Sequence, residues 1–169
     1  SLADRPAIVS IHNRKEKVVF RPGAMLHHQL SGNDSLVVWS EFQPHFRWSN
    51  LNYSVLQLGN LNSGKVRRLT SKSRLFAPNL SLDNSRIVAV DATDTRGSAL
   101  VILSAETGET LTRFTSDSMF FTTPLWLADG KEIVFAAIGS QGKSIWKLSL
   151  PELQLEQVSP ATFTFFALT

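Results

Sequence analysis

The stretch Pro78-Asn79-Leu80-Ser81-Leu82-Asp83-Asn84-Ser85-Arg86-Ile87-Val88-Ala89-Val90 returns as Pro124-Leu125-Trp126-Leu127-Ala128-Asp129-Gly130-Lys131-Glu132-Ile133-Val134-Phe135-Ala136. Pro78 and Pro124, Asp83 and Asp129, and Ile87 and Ile133 are all separated by 46 positions. A fixed period of this size is the mark of a repeat architecture, in which one supersecondary unit stacks on the next. Each copy reads as a short strand, a two-residue turn with Asp-Asn or Asp-Gly at its centre, and an apolar second strand. Gly accepts positive φ and Asn tolerates it, so the turn has a mechanism.

A second pattern comes after each copy. Residues 99–103 and 111–114 flank Thr107-Gly108, and 53–58 and 65–69 flank Asn62-Ser63-Gly64. Residues 144–148 and 153–158 flank Pro151-Glu152, which ends the strand by a different turn. An earlier, degenerate copy runs from Ala24 through Gly32-Asn33-Asp34 to Leu36-Val37-Val38-Trp39. The β-branched runs 7–11 and 17–20 form one more hairpin before the break at Pro22-Gly23. No window sustains an i, i+3, i+4, i+7 apolar pattern between turn signals, so no helix is predicted.

Four short strands every 46 or so residues predict an all-β chain built as an incomplete β-propeller of about three four-stranded antiparallel blades plus parts of others. Residues 1–23 would supply the last strands of a preceding blade. Residues 24–70 would form a blade with a long loop over 40–52, residues 71–115 and 116–160 two more blades, and 161–169 the first strand of a next. Core positions should include Leu80, Ile87, Ala89, Leu100, Ile102, Trp126, Ile133, Phe135, Ile145 and Leu148. Complete rings take typically about 4–8 blades. The chain is therefore expected to be part of a longer protein, or to associate edge to edge with copies of itself.

Composition narrows the function classes. With 43% hydrophobic and 18% charged residues the chain is globular rather than disordered. No apolar run approaches the roughly 18 residues of a membrane helix, so no membrane insertion of this segment is expected. The start, Ser1-Leu2-Ala3-Asp4, lacks the basic and apolar regions of a signal peptide. A start without Met predicts that the natural N-terminus lies upstream, which leaves the compartment open. With no Cys there is no disulfide, no thiolate nucleophile and no Cys-type zinc site. A net charge of +3 is weak for a nucleic-acid binder. Lys65, Arg67, Arg68, Lys72 and Arg74 read as solvated residues that protect an outer strand from aggregation.

The repeats resemble those of TolB-like propellers, whose pattern is Pro-x-Trp-Ser-Pro-Asp-Gly-x-x-Ile-Ala-Phe, a further strand, an acidic-Thr-Gly turn and a closing Leu-Thr. Pro124-Leu125-Trp126 with Asp129-Gly130 and Ile133-Val134-Phe135 carries the first part. Asn62-Ser63-Gly64-Lys65-Val66-Arg67-Arg68-Leu69-Thr70 is similar to the turn and closing motif, and Glu106-Thr107-Gly108-Glu109 to the turn again. Ser81-Leu82-Asp83-Asn84 departs from the pattern in lacking its Pro and Gly. The resemblance covers roughly residues 24–168. It implies a non-catalytic protein-binding or scaffolding module in a larger periplasmic or cell-envelope protein. Such blades also occur in prolyl oligopeptidases, which implies as the alternative a propeller gating a hydrolase domain absent from this chain. Fold alone does not choose between them.

No catalytic, cofactor or metal site is expected. Gly142-Lys143-Ser144 looks like the end of a phosphate loop, but it runs into a strand rather than a helix whose N-terminus could hold phosphate. Gly139-Ser140-Gln141-Gly142 is out of register for a nucleophile elbow. Asp91, Asp94 and Gly97 do not follow calcium-loop spacing. His27 and His28 are adjacent, so on a strand they face opposite ways and cannot share one metal.

One segment differs from its counterparts. Residues 40–52 are longer and richer in aromatic and charged side chains than the connections near 91–98 and 137–143. Long loops on rigid scaffolds carry recognition, and Trp and Arg dominate interface hot spots. His45, Phe46, Arg47 and Trp48, with Arg74, are the candidate binding residues, and a protein is the expected partner. The competing reading is that Phe42, Phe46 and Trp48 fold back as a small satellite core.

Overall fold

The computed structural model describes residues 6–44, 52–92 and 97–163. Among them are fourteen strands and no helix. A hairpin of β1 (Ile8–His12) and β2 (Lys15–Phe20) precedes three four-stranded antiparallel sheets. The first holds β3 (Met25–Gly32), β4 (Leu36–Pro44), β5 (Asn52–Asn60) and β6 (Val66–Arg68). The second holds β7 (Leu75–Leu80), β8 (Arg86–Asp91), β9 (Ser98–Ser104) and β10 (Thr110–Ser116). The third holds β11 (Phe120–Trp126), β12 (Glu132–Gly139), β13 (Gly142–Ser149) and β14 (Gln154–Gln157). Each sheet keeps its strands in chain order, the meander expected when every connection is short.

The sheets pack face to face, because strands alternate their side chains between two faces and each face needs a cover. Val38, Leu56 and Leu58 of the first sheet meet Ile87, Ala89 and Val101 of the second. Val88, Val90 and Leu100 on the opposite face of the second sheet meet Phe121, Ile133 and Phe135 of the third. Ile8 and Phe20 of the hairpin cover Val37 and Trp39, with Phe20 stacked on Trp39 at 5.6 Å between ring centres. The first strands of successive sheets, β3, β7 and β11, adjoin one another. These are the innermost strands of a fan of blades.

Of the ten predicted core positions, Leu80, Ile87, Ala89, Leu100, Ile102, Ile133, Phe135 and Leu148 are buried. Trp126 and Ile145 are half-buried. Ile145 alternates with Ser144 and Trp146 and so points to the other face of the third sheet, which no further four-stranded sheet covers among the described residues.

The repeat contains two backbone devices. Ala77 and Thr123 both have positive φ, 48° and 47°, and each precedes the repeated proline. The register of β7–β8 and of β11–β12 shifts at those places. Proline has no N–H for the ladder and belongs at such bulges. The turns after Leu80 and Trp126 are longer than the two-residue hairpin that the sequence suggests. Ser81 N donates to Arg86 O, and Leu127 N to Glu132 O, so five residues lie between the strands. Positive φ falls on only one residue of each turn, Asn84 at 62° and Gly130 at 65°, whereas a two-residue turn of that kind needs it at both. The aspartate one place earlier caps the turn, since Asp83 Oδ1 accepts Ser85 N at 3.1 Å and Asp129 Oδ1 accepts Lys131 N at 2.9 Å.

Strand also extends further into 40–52 than the sequence suggests. β4 runs to Pro44 and β5 starts at Asn52, with Phe42 paired to Ser54. Glu41 fixes this extension, accepting Trp39 Nε1 at 2.8 Å, Gln57 Nε2 at 3.1 Å and Gly23 N at 3.1 Å.

Candidate binding surface

Antiparallel order places the connections at two ends. One end carries the turns after β3, β7 and β11 and those after β5 and β9; the other carries the connections between β4 and β5, β8 and β9, β6 and β7, and β10 and β11. Arg74 lies at the second end. It immediately precedes β7 and forms a parallel bridge with Ser54, near the start of β5.

Side-chain hydroxyls secure this junction. Ser54 N donates to Ser73 O at 2.9 Å, Ser73 Oγ to Ser54 O at 2.6 Å and Ser54 Oγ to Leu75 O at 2.5 Å. Thr70 Oγ1 accepts Leu56 N at 2.9 Å and lies 2.9 Å from Ser73 Oγ. From the second sheet, Ala92 N donates to Arg74 O at 3.2 Å. The backbone of Arg74 is thus tied to two sheets, and its side chain borders a groove of about 450 Å³. Lys72, Arg113 and Asp91 border it too, with Leu75 and Val101 beneath. Arg113 Nη1 holds Asp91 Oδ2 at 2.6 Å.

His45, Phe46, Arg47 and Trp48 lie outside the described residues. Their connection leaves β4 at Pro44 and enters β5 at Asn52, two residues before the Ser54 that bridges Arg74. His27 and His28 lie in β3. The glycine-lysine-serine of 142–144 opens β13 after a hairpin turn at Ser140-Gln141. A Cβ on Gly142 would come within 2.6 Å of the Thr162 carbonyl, so chain, not phosphate, occupies that side of Gly142.

The opposite end holds features that sequence reading missed. Leu80 N donates to Ser31 Oγ at 3.1 Å, and Trp126 N to Asn79 Oδ1 at 2.8 Å, so one innermost strand is latched to the next by a side chain. Arg67, exposed on an edge strand as expected, also donates to the carbonyls of Ala105 and Glu106 in the turn after β9 of the neighbouring sheet. A larger groove of about 940 Å³ lies beside it, bordered by Lys65 and Arg86. The hydroxyls of Ser81 and Ser85 beside Asp83 bring its carboxyl down from the ordinary 3.8 to about 2. Glu156 and Glu132 hold the Lys147 ammonium above its usual range.

No protein-family model matches the chain, and no curated protein matches it. Solved structures do. TolB from Acinetobacter baumannii superposes with a TM-score of 0.72 over 92% of this chain and 38% of its own, at 14% identity. An oligogalacturonate lyase in complex with manganese gives 0.70 over 92% of this chain and 48% of its own, at 14% identity. The β-propeller domain of the Trilobed protease from Pyrococcus furiosus, described as having an open velcro topology, gives 0.60 over 79% and 42%, at 13% identity. The chain therefore spans less than half the length of each of these proteins. With three sheets packed face to face around their innermost strands, and repeats 46 residues apart, the chain has the fold of part of a TolB-like β-propeller.

Proposed function

We propose that the chain is a non-catalytic protein-binding or scaffolding module, a propeller segment of a larger cell-envelope protein, that contacts a protein partner through the end bearing Arg74 and the connection 45–51. The observation that carries this reading is Arg74 itself. Its backbone is tied to two sheets, the residue is half-buried, and its guanidinium has no hydrogen bond or ion pair among the described residues. An arginine held at a groove without a counter-charge among the described residues is available to an acidic group. A partner that supplies a counter-charge fits this placement. The neighbouring connection brings the residue types that dominate interface hot spots, Trp48 and Arg47.

The test is photo-crosslinking in cells from position 48 of the full-length protein. The expected result is an adduct with one envelope protein that weakens in Arg74→Ala. A full-length protein confined to the cytoplasm, or adducts indifferent to Arg74, would sink the proposal. The likeness to a protease propeller favours a second reading, a gate over a hydrolase domain. A Gly-x-Ser-x-Gly α/β domain in the same full-length chain, with peptide hydrolysis that depends on its serine, would select it.

A further inference from the structure

We propose that the groove beside Arg74 is a carboxylate-recognition site that takes an extended acidic segment of the partner, an assignment that rests on the protein-binding reading above. Three cations border the groove, Lys72, Arg74 and Arg113, against a single carboxylate. That carboxylate, Asp91, is already held by Arg113 at 2.6 Å. Lys72 and Arg74 have no ion pair among the described residues, so their charge can serve a ligand.

Arg74 stands apart from other arginines of the fan. Arg67 and Arg86 each donate to carbonyls of a neighbouring sheet, and Arg113 holds Asp91. Each of these is a structural tie. Among the described residues Arg74 makes its ties through backbone alone, and its guanidinium fork suits bidentate recognition of a carboxylate. The hydroxyl network of Ser54, Thr70 and Ser73 fixes the backbone beneath it, so little ordering is needed when a ligand arrives.

The groove is also more than an ion site. About 450 Å³ exceeds what one phosphate fills, and Leu75 and Val101 give it an apolar floor. Acidic and apolar side chains in alternation, as in an extended peptide, meet both parts. Nucleic acid is disfavoured, since tight binding needs about 6–10 phosphate contacts and Lys72 and Arg74 supply few of them.

The experiment titrates the full 169-residue chain with fluorescein-labelled peptides in which Glu or Gln alternates with Leu. The Glu peptide should bind, more weakly as salt rises, and the Gln peptide should bind about tenfold less tightly, the loss of one charged hydrogen bond. Arg74→Ala and Lys72→Ala should each weaken the Glu peptide about tenfold, whereas Lys65→Ala, at the other end of the sheets, should leave it unchanged. Urea midpoints check that the variants fold, and Arg74→Gln replaces Arg74→Ala if the latter does not. Equal affinity for the two peptides, indifference to both substitutions, or displacement by inorganic phosphate or a single-stranded oligonucleotide at matching concentration would overturn the assignment. A crosslink from position 48 that persists in that event would leave the protein-binding reading standing. Its absence despite preferential Glu-peptide binding would remove that reading instead.

Discussion

Arg86 of the second sheet lies over the indole of Trp126 in the third, with 4.7 Å from its guanidinium carbon to the ring centre. The same guanidinium donates through Nη2 to the carbonyl of Gly130 at 2.6 Å. Trp126 contributes its ring face here and not its N–H, since Nε1 is buried without a hydrogen-bond partner among the described residues. Arg86→Ala should therefore cost about 1–2 kcal/mol of folding stability, combining a cation–π contact with a charged hydrogen bond. Gly130→Val should act on the same contact from the other side. Gly130 has φ of 65°, and a Cβ there would meet Arg86 Nη2 at 3.3 Å. Urea midpoints for the two variants and their double mutant test this: fully additive losses would show that the two residues do not share one interaction.

Thr123 is β-branched, exposed and held at φ 47°, a conformation that costs an ordinary residue about 1–2 kcal/mol. Thr123→Gly should stabilise the chain by up to about 1 kcal/mol, with part of the relief offset by the looser unfolded chain. A lowered urea midpoint would mean that Thr123 makes a contact worth more than its strain.

The range of each interaction decides how much of this is legible in the sequence. Ile87 and Ile133 can be placed in the core because strand alternation and the 46-residue period are both written locally. The latches from Leu80 N to Ser31 and from Trp126 N to Asn79 join residues 49 and 47 positions apart, and nothing in either local pattern announces them. Arg67 escapes a local reading for the same reason, as its acceptors belong to the next sheet. Arg74 is legible only as one of several basic residues. Among the described residues it lacks the side-chain partner that Arg67, Arg86 and Arg113 have, and that depends on packing. Pro78 and Pro124 are visible as repeats, but the positive φ of Ala77 and Thr123 before them is set by the bulge.

The Asp83 carboxylate should make stability depend on pH. Its folded pKa, about 2, lies below the ordinary 3.8, first through the hydroxyls of Ser81 and Ser85 and then through Ser85 N and the charge of Arg86. A depressed carboxyl pKa stabilises the fold above about pH 4, and that contribution fades as pH falls toward 2. Asp83→Asn should lower the urea midpoint at neutral pH, and the gap from the parent should shrink across that window. Asp83 is exposed at the turn, so the gap will be modest and will narrow with salt. A gap that stays constant from pH 5 to pH 2 would show that the turn does not depend on the carboxylate charge.

The two outer faces of the stack lead to the last expectation. The hairpin of β1 and β2 presents Val9, Ile11 and Val18 to solvent on the face turned away from Trp39, with Ile11 67% exposed. The third sheet presents Ile138 and Phe120, paired with each other, on the face turned away from the second sheet. In water such contiguous apolar side chains act as contact surfaces, and burying one fully gains about 1.5–3 kcal/mol. In the isolated 169-residue chain a second copy can cover them, because a propeller stacks one sheet's face on the next and each copy offers both faces. Sedimentation of the 169-residue chain should show association that rises with concentration. Ile11→Lys and Ile138→Lys should each reduce it by placing a charge where the faces meet, while leaving the urea midpoint of the monomer nearly unchanged. A chain that stays monomeric at high concentration and takes up no hydrophobic dye would exclude sticky outer faces. Association that both substitutions leave intact would place the contact elsewhere, at the edges of β6, β10 or β14, which are unpaired among the described residues.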